Sequence, residues 1–109
     1  MIIPHSPFQI VDWNTITKEM HNGECGFATW QIIKIGDIRI RRVQYSPDYK
    51  ADHWCSKGHI IYCEDGEMTT ELEDGRLMYL GKGMTYTVGD NSQAHKSATA
   101  NGCTLFIID

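Results

Sequence analysis

The chain has 109 residues, 41% hydrophobic and 22% charged, with a net charge of −4. That length suffices for one domain whose core needs no disulfides. The acidic balance argues against a nucleic-acid surface, which needs clustered cations to displace counterions, and no run approaches the roughly 20 apolar residues of a membrane span.

In chain order, residues 1–26 read as an N-terminal extension of a single domain spanning 1–109, with the core over about 27–109. The start lacks the basic and apolar regions of a secretion signal. Met1-Ile2-Ile3 and Phe8-Gln9-Ile10 are short apolar clusters, 12–20 predicts a helical turn or two, and 21–26 reads as a loop. His21 and Cys25 in that loop are metal-capable, but nothing pins them. Segments 28–33 and 38–45 flank Lys34-Ile35-Gly36-Asp37 and predict a hairpin. In the second segment the apolar parity changes from Ile38 and Ile40 to Val43 and Tyr45, the pattern of a β-bulge. Arg39, Arg41 and Arg42 form the only local basic cluster, read as a solvated strand face in preference to an anion site.

Downstream, 60–63, 67–72, 77–80, 85–88, 96–99 and 103–108 read as short strands. They are separated by Asp65-Gly66, Asp74-Gly75, Gly81-Lys82-Gly83 and Asn101-Gly102. Such dipeptides supply the positive φ of tight turns, so each predicts a hairpin and the whole predicts an antiparallel sandwich or barrel. The four cysteines at 25, 55, 63 and 103 form no Cys-x-x-Cys pair. With no secretion signal, a reducing cytoplasm is the expected compartment, with Cys63 and Cys103 as buried thiols.

The densest chemical signal is Asp52-His53-Trp54-Cys55-Ser56-Lys57-Gly58-His59. In an extended chain alternate side chains share a face, so His53, Cys55 and His59 point one way, and His95 is a fourth candidate beyond a downstream loop. Ile61 and Cys63 continue that parity into an interior pocket, while Trp54 takes the opposite face as packing. Asp52 and Glu64 read as solvated, and Tyr86 and Gln93 as residues at the pocket mouth. Three imidazoles and a thiolate favour zinc first, with iron, nickel or copper as alternatives, over harder cations. Four protein ligands around zinc describe a closed structural site, whereas a catalytic site keeps a position open.

The ligand run, strand spacing and glycines together resemble the cupin family, whose first motif reads G-x5-H-x-H-x3 or 4-E-x6-G. Here His53 matches the first His, Cys55 replaces the second, His59 stands in the Glu place and Gly66 matches the closing Gly, while Pro47 replaces the opening one. The second motif, G-x5-P-x-G-x2-H-x3-N, begins at Gly83. Gly89 and Asn91 take the Pro and second Gly places, His95 falls one residue late and Thr99 holds the final place. The Asp-His-Trp-Cys string further resembles a small cupin subgroup, a likeness that implies a metal site without naming a reaction. The resemblance implies an all-β, antiparallel cupin-type barrel (jelly roll), a metal at His53, Cys55, His59 and His95, a small-molecule ligand and a homodimer. Two functions are compatible: a metal-dependent enzyme of oxidoreductase or isomerase type, or a non-catalytic binding or sensing module with structural zinc.

Overall fold

The computed structural model describes residues 2–109. Its strands are β1 (Glu19–Asn22), β2 (Phe27–Ile35), β3 (Ile38–Tyr45), β4 (Tyr49–Lys50), β5 (His59–Leu72), β6 (Leu77–Gly81), β7 (Thr85–Val88), β8 (His95–Thr99) and β9 (Cys103–Ile108). Two antiparallel sheets share the long strand β5. In one, β1, β2, β3 and β9 lead to the first half of β5, which pairs β7 on its other side. In the other, the second half of β5 lies between β6 and β8, and β4 pairs β8. The sheets curl over one core as an antiparallel jelly-roll barrel, the expected class.

β5 serves both sheets because of a bulge. Its register against β9 shifts between Cys63 and Asp65, and the buried positions change from Ile61 and Cys63 to Met68 and Thr70. One extra residue exchanges the inward and outward faces of a strand, so both halves turn apolar side chains to the core. Gly66 follows at φ +75°, where a Cβ would collide with the Gly102 carbonyl and Cys103 Cα. Met68, Leu105, Val43 and Cys63 are the largest fully buried side chains, while Ile60 and Tyr62 face outward, as alternation predicts.

The turn signals correct the expected topology. Asp74-Gly75 closes the β5–β6 hairpin and Gly36 closes β2–β3. Asp65-Gly66 lies inside β5. Gly81-Lys82-Gly83 and Asn101-Gly102 are corners where the chain leaves one half of β5 for the other. Positive-φ residues permit a sharp change of direction, and pairing partners decide whether it is a hairpin or a corner.

Near the N-terminus, the helical segment expected over 12–20 is a single 3-10 turn, Trp13–Thr15, capped by Asp12, whose side chain accepts from the Asn14 N–H at 3.0 Å. β1 takes His21 and Asn22 out of the expected loop and extends the sheet into the segment read as an extension. β3 has no bulge, pairing β2 without interruption from Ile38 to Tyr45. Its buried positions are Arg41 and Val43, so the apolar parity breaks because arginine occupies an inward place. The basic cluster is therefore not one solvated face. Arg39 and Arg41 pair with Asp109, and Arg42 with Glu64.

Candidate metal centre

Residues 51–58 are irregular apart from one bridge, and β5 begins only at His59. The alternation assumed across 53–59 therefore fails. What orders this loop is pairing to its neighbours: Cys55 N–H donates to the His95 carbonyl at 2.9 Å and His95 N–H donates back at 3.0 Å. Gly58 N–H donates to Asp90 Oδ1 at 2.6 Å, and its missing Cβ lets the loop lie against the backbone of Val88–Asp90.

That pairing brings Cys55, His59 and His95 together, with one ligand atom from each within 4.8 Å of the others. Cys55 Sγ lies 3.4 Å from His59 Nε2, and the two imidazoles cross at 81° with centroids 5.1 Å apart. His53 stands outside the group. Its side chain is 77% exposed and its Nδ1 donates to Asp52 Oδ1 at 2.6 Å.

Both converging imidazoles have their tautomers set by acceptors that hold no proton. His59 Nδ1 donates to Asp109 Oδ2 at 2.6 Å and His95 Nδ1 donates to the Gln93 carbonyl at 2.9 Å. Each Nε2 is left with its lone pair facing the cluster, the arrangement by which outer groups orient metal-binding histidines. His95 is 4% exposed and its Nε2 is buried without a partner. A buried acceptor left unpaired costs about 1–3 kcal/mol. An ion held between these nitrogens and the sulfur would satisfy it, and a donor set of two imidazole nitrogens and one cysteine sulfur would suit a borderline or soft cation.

Asp109 is not legible in the sequence as a site residue, although Cys103, Leu105 and Ile107 put it on the inward parity of β9. Its side chain is 0% exposed and accepts from Arg39 Nε at 2.8 Å, Arg39 Nη2 at 3.1 Å and Arg41 Nη2 at 2.8 Å. Burial pushes its carboxyl up, but the His59 hydrogen bond and the two guanidiniums outweigh that and hold it well below the usual carboxylate range. His59 thus rests on an acceptor held in its charged form by its neighbours.

Beside the cluster lies a cavity of about 290 Å³ walled by Trp30, Tyr45, Tyr49 and Tyr86, with Arg39 and Arg41 at its side. A larger hollow of about 500 Å³ near Cys25 and Tyr79 is lined by none of Cys55, His59 and His95. Tyr86 lines the cavity as expected. The Gln93 side chain instead reaches Asp74 at 3.3 Å, so its contribution here is its backbone carbonyl. Trp54 lies under the Lys96 ammonium, 5.9 Å from its ring centre.

No family model and no curated protein match the sequence. Solved structures do match. An RmlC-like cupin from Shewanella frigidimarina is 14% identical over 94% of this chain and 89% of its own, with a TM-score of 0.71. The polyketide cyclase RemF from Streptomyces resistomycificus is 19% identical over 94% and 78%, with a TM-score of 0.77. The iron(II) form of HppE is 11% identical over 95% and 61%, with a TM-score of 0.76. At these identities the likeness defines the fold: the chain is a cupin-fold barrel. Within that class it carries a Cys/His/His cluster able to hold a metal.

Proposed function

We propose that this cupin holds one divalent transition metal through His59 Nε2, His95 Nε2 and Cys55 Sγ, and leaves a coordination position open to a small molecule in the adjoining cavity. The observation that carries this is the pair of imidazoles with Nδ1 committed and Nε2 turned toward one thiol. A bound metal supplies Lewis-acid chemistry, or redox chemistry with iron or copper. The chain's own residues orient and shelter it: Asp109 and the Gln93 carbonyl fix the imidazoles, and the aromatic wall limits water. Zinc is the first expectation, with iron, nickel or copper as alternatives. The polyketide cyclase and the iron(II) protein among the structural neighbours support an enzyme reading by analogy of fold. A closed structural zinc site would require His53 to leave Asp52, and the open reading is preferred for that reason.

The test is metal analysis of protein purified without chelator, joined to X-ray absorption. One sulfur and two imidazole nitrogens, with a further light ligand, are expected. A metal content unchanged in His95→Ala overturns the assignment.

We also propose a homodimer in a reducing, cytoplasmic setting. Phe8 and Ile10 are 93% and 86% exposed, and β1 is a sheet edge with unpaired backbone groups, an arrangement suited to covering by a second copy. All four cysteines are free thiols. A monomer mass at all concentrations in light scattering overturns the dimer.

A further inference from the structure

The cavity beside the metal ligands carries positive charge that its walls do not neutralise. Arg39, Arg41 and Lys96 line it, and among the described residues no Asp or Glu side chain does. Asp109, behind the wall, is the single carboxylate that the two guanidiniums share, so one of their charges is left over. Lys96 is turned toward Trp54, which leaves the arginines as the fixed cations of the interior.

Arg41 is the more deeply set. Its side chain is 6% exposed, its guanidinium lies 4.5 Å from the centre of the Trp30 ring, and its Nε is buried without a partner. A guanidinium held against an aromatic face keeps its planar fork in one orientation, the geometry that matches a carboxylate. Arg41 Nη2 and His59 Nδ1 bind the same oxygen, Asp109 Oδ2, at 2.8 and 2.6 Å. The cation and a metal-binding imidazole therefore stand one oxygen apart, within the span of a short molecule.

We propose that the cavity takes a small carboxylate whose acid group pairs with Arg41 and whose second donor, a hydroxyl, carbonyl or thiol a carbon or two away, reaches the open position beside Cys55, His59 and His95. The second half of this rests on the metal reading given above. A volume of about 290 Å³, at the low end of ligand pockets, excludes long chains. Arg41 Nε, which finds no partner within the protein, selects a carboxylate over a neutral molecule, because a guanidinium–carboxylate hydrogen bond is charge-assisted and a neutral acceptor makes a weaker one.

The test uses the full chain loaded with cobalt(II) and titrated with lactate, pyruvate and mercaptoacetate, with lactamide as the uncharged isostere of lactate. Calorimetry reads affinity and the visible cobalt band reads the metal. The carboxylates are expected to bind and shift the band. Lactamide should bind roughly ten- to a hundredfold more weakly, and Arg41→Gln should lower carboxylate affinity by a similar factor with cobalt content unchanged. Arg41→Gln leaves Asp109 to Arg39 alone and can disturb folding, so the lactate and lactamide comparison on the unaltered chain is the independent measure. Equal affinity for those two, or no carboxylate binding by protein that holds cobalt, overturns the anion site and leaves the metal reading standing. Carboxylate binding seen by indole fluorescence in a chain that holds no cobalt, and lost in Arg41→Gln, overturns the metal reading and leaves the anion site. Neither cobalt nor carboxylate bound overturns both.

Discussion

Replacing Asp109 by Ala removes the acceptor of four hydrogen bonds, from Arg39 Nε and Nη2, Arg41 Nη2 and His59 Nδ1, at 2.6–3.1 Å. Removing one partner of a buried ion pair costs about 3–5 kcal/mol, because the remaining charge stays desolvated. Arg39 is partly exposed and regains some water, whereas Arg41 does not, so the lower end, about 3 kcal/mol, applies. That is a large share of the roughly 5–15 kcal/mol stability of a domain. With a urea dependence of roughly 1–3 kcal/mol per molar, the unfolding midpoint should fall by about 1–3 M. The assay is equilibrium urea unfolding of metal-free protein, with the double variant Arg41→Met/Asp109→Ala alongside. Removing both charges should recover part of the loss, since an apolar pair of similar volume is often no worse than an ion pair. A single-variant loss under about 1 kcal/mol, or a double variant no better than the single, refutes the reasoning.

Cys55→Ser should lower metal retention and alter the cobalt spectrum while barely moving the melting of metal-free protein, because Cys55 lies outside the apolar core; His53→Ala should change neither, and stability by under about 0.5 kcal/mol. Metal loss from His53→Ala in emission spectrometry would restore the four-ligand site. Burial pushes the Cys103 thiol from its ordinary 9.0 up to about 12 and the Tyr45 hydroxyl well above its usual range. These acids stay protonated in the fold while the unfolded chain ionises. Stability should therefore fall between about pH 9 and 12, by at most about 1.4 kcal/mol per pH unit for the thiol alone, and a flat urea midpoint from pH 8 to 10.5 would contradict this. Gly66→Ala should cost about 1–3 kcal/mol from backbone strain alone, with further loss from the collision at Gly102 and Cys103, read as a lower melting temperature.

Strand periodicity makes the barrel readable before its topology, because alternation reports which face is buried and says nothing of which strand lies beside it. Asp65-Gly66 illustrates the gap: a dipeptide typical of hairpins sits within a single strand, since the pairing of β9 and β8 along β5 is set by distant residues. Cys55, His59 and His95 are legible through donor chemistry, although a shared strand face is not the reason they meet. Cys55 reaches His95 through a backbone bridge between two loops' ends. His53 follows from a parity that an irregular segment does not obey. Arg41 and Asp109 escape the sequence pattern for a common cause. A charge at an inward position looks like an error in the pattern until its partner is known, and these two lie 68 residues apart in the chain.

The shared strand also bears on how the chain assembles in time. During synthesis β5 emerges with only β6 and β7 soon to follow on one side, and its other side stays open until β8 and β9, the last strands in the chain, have been made. Pairing between such distant segments is slow, since a long loop must close before any contact repays it. Until then an unpaired edge is displayed on both halves of β5 at once, so refolding should be slow and prone to aggregation at high concentration. Once closed, the strand is flanked on both sides along most of its length. Its amides should then be the last in the protein to exchange with solvent.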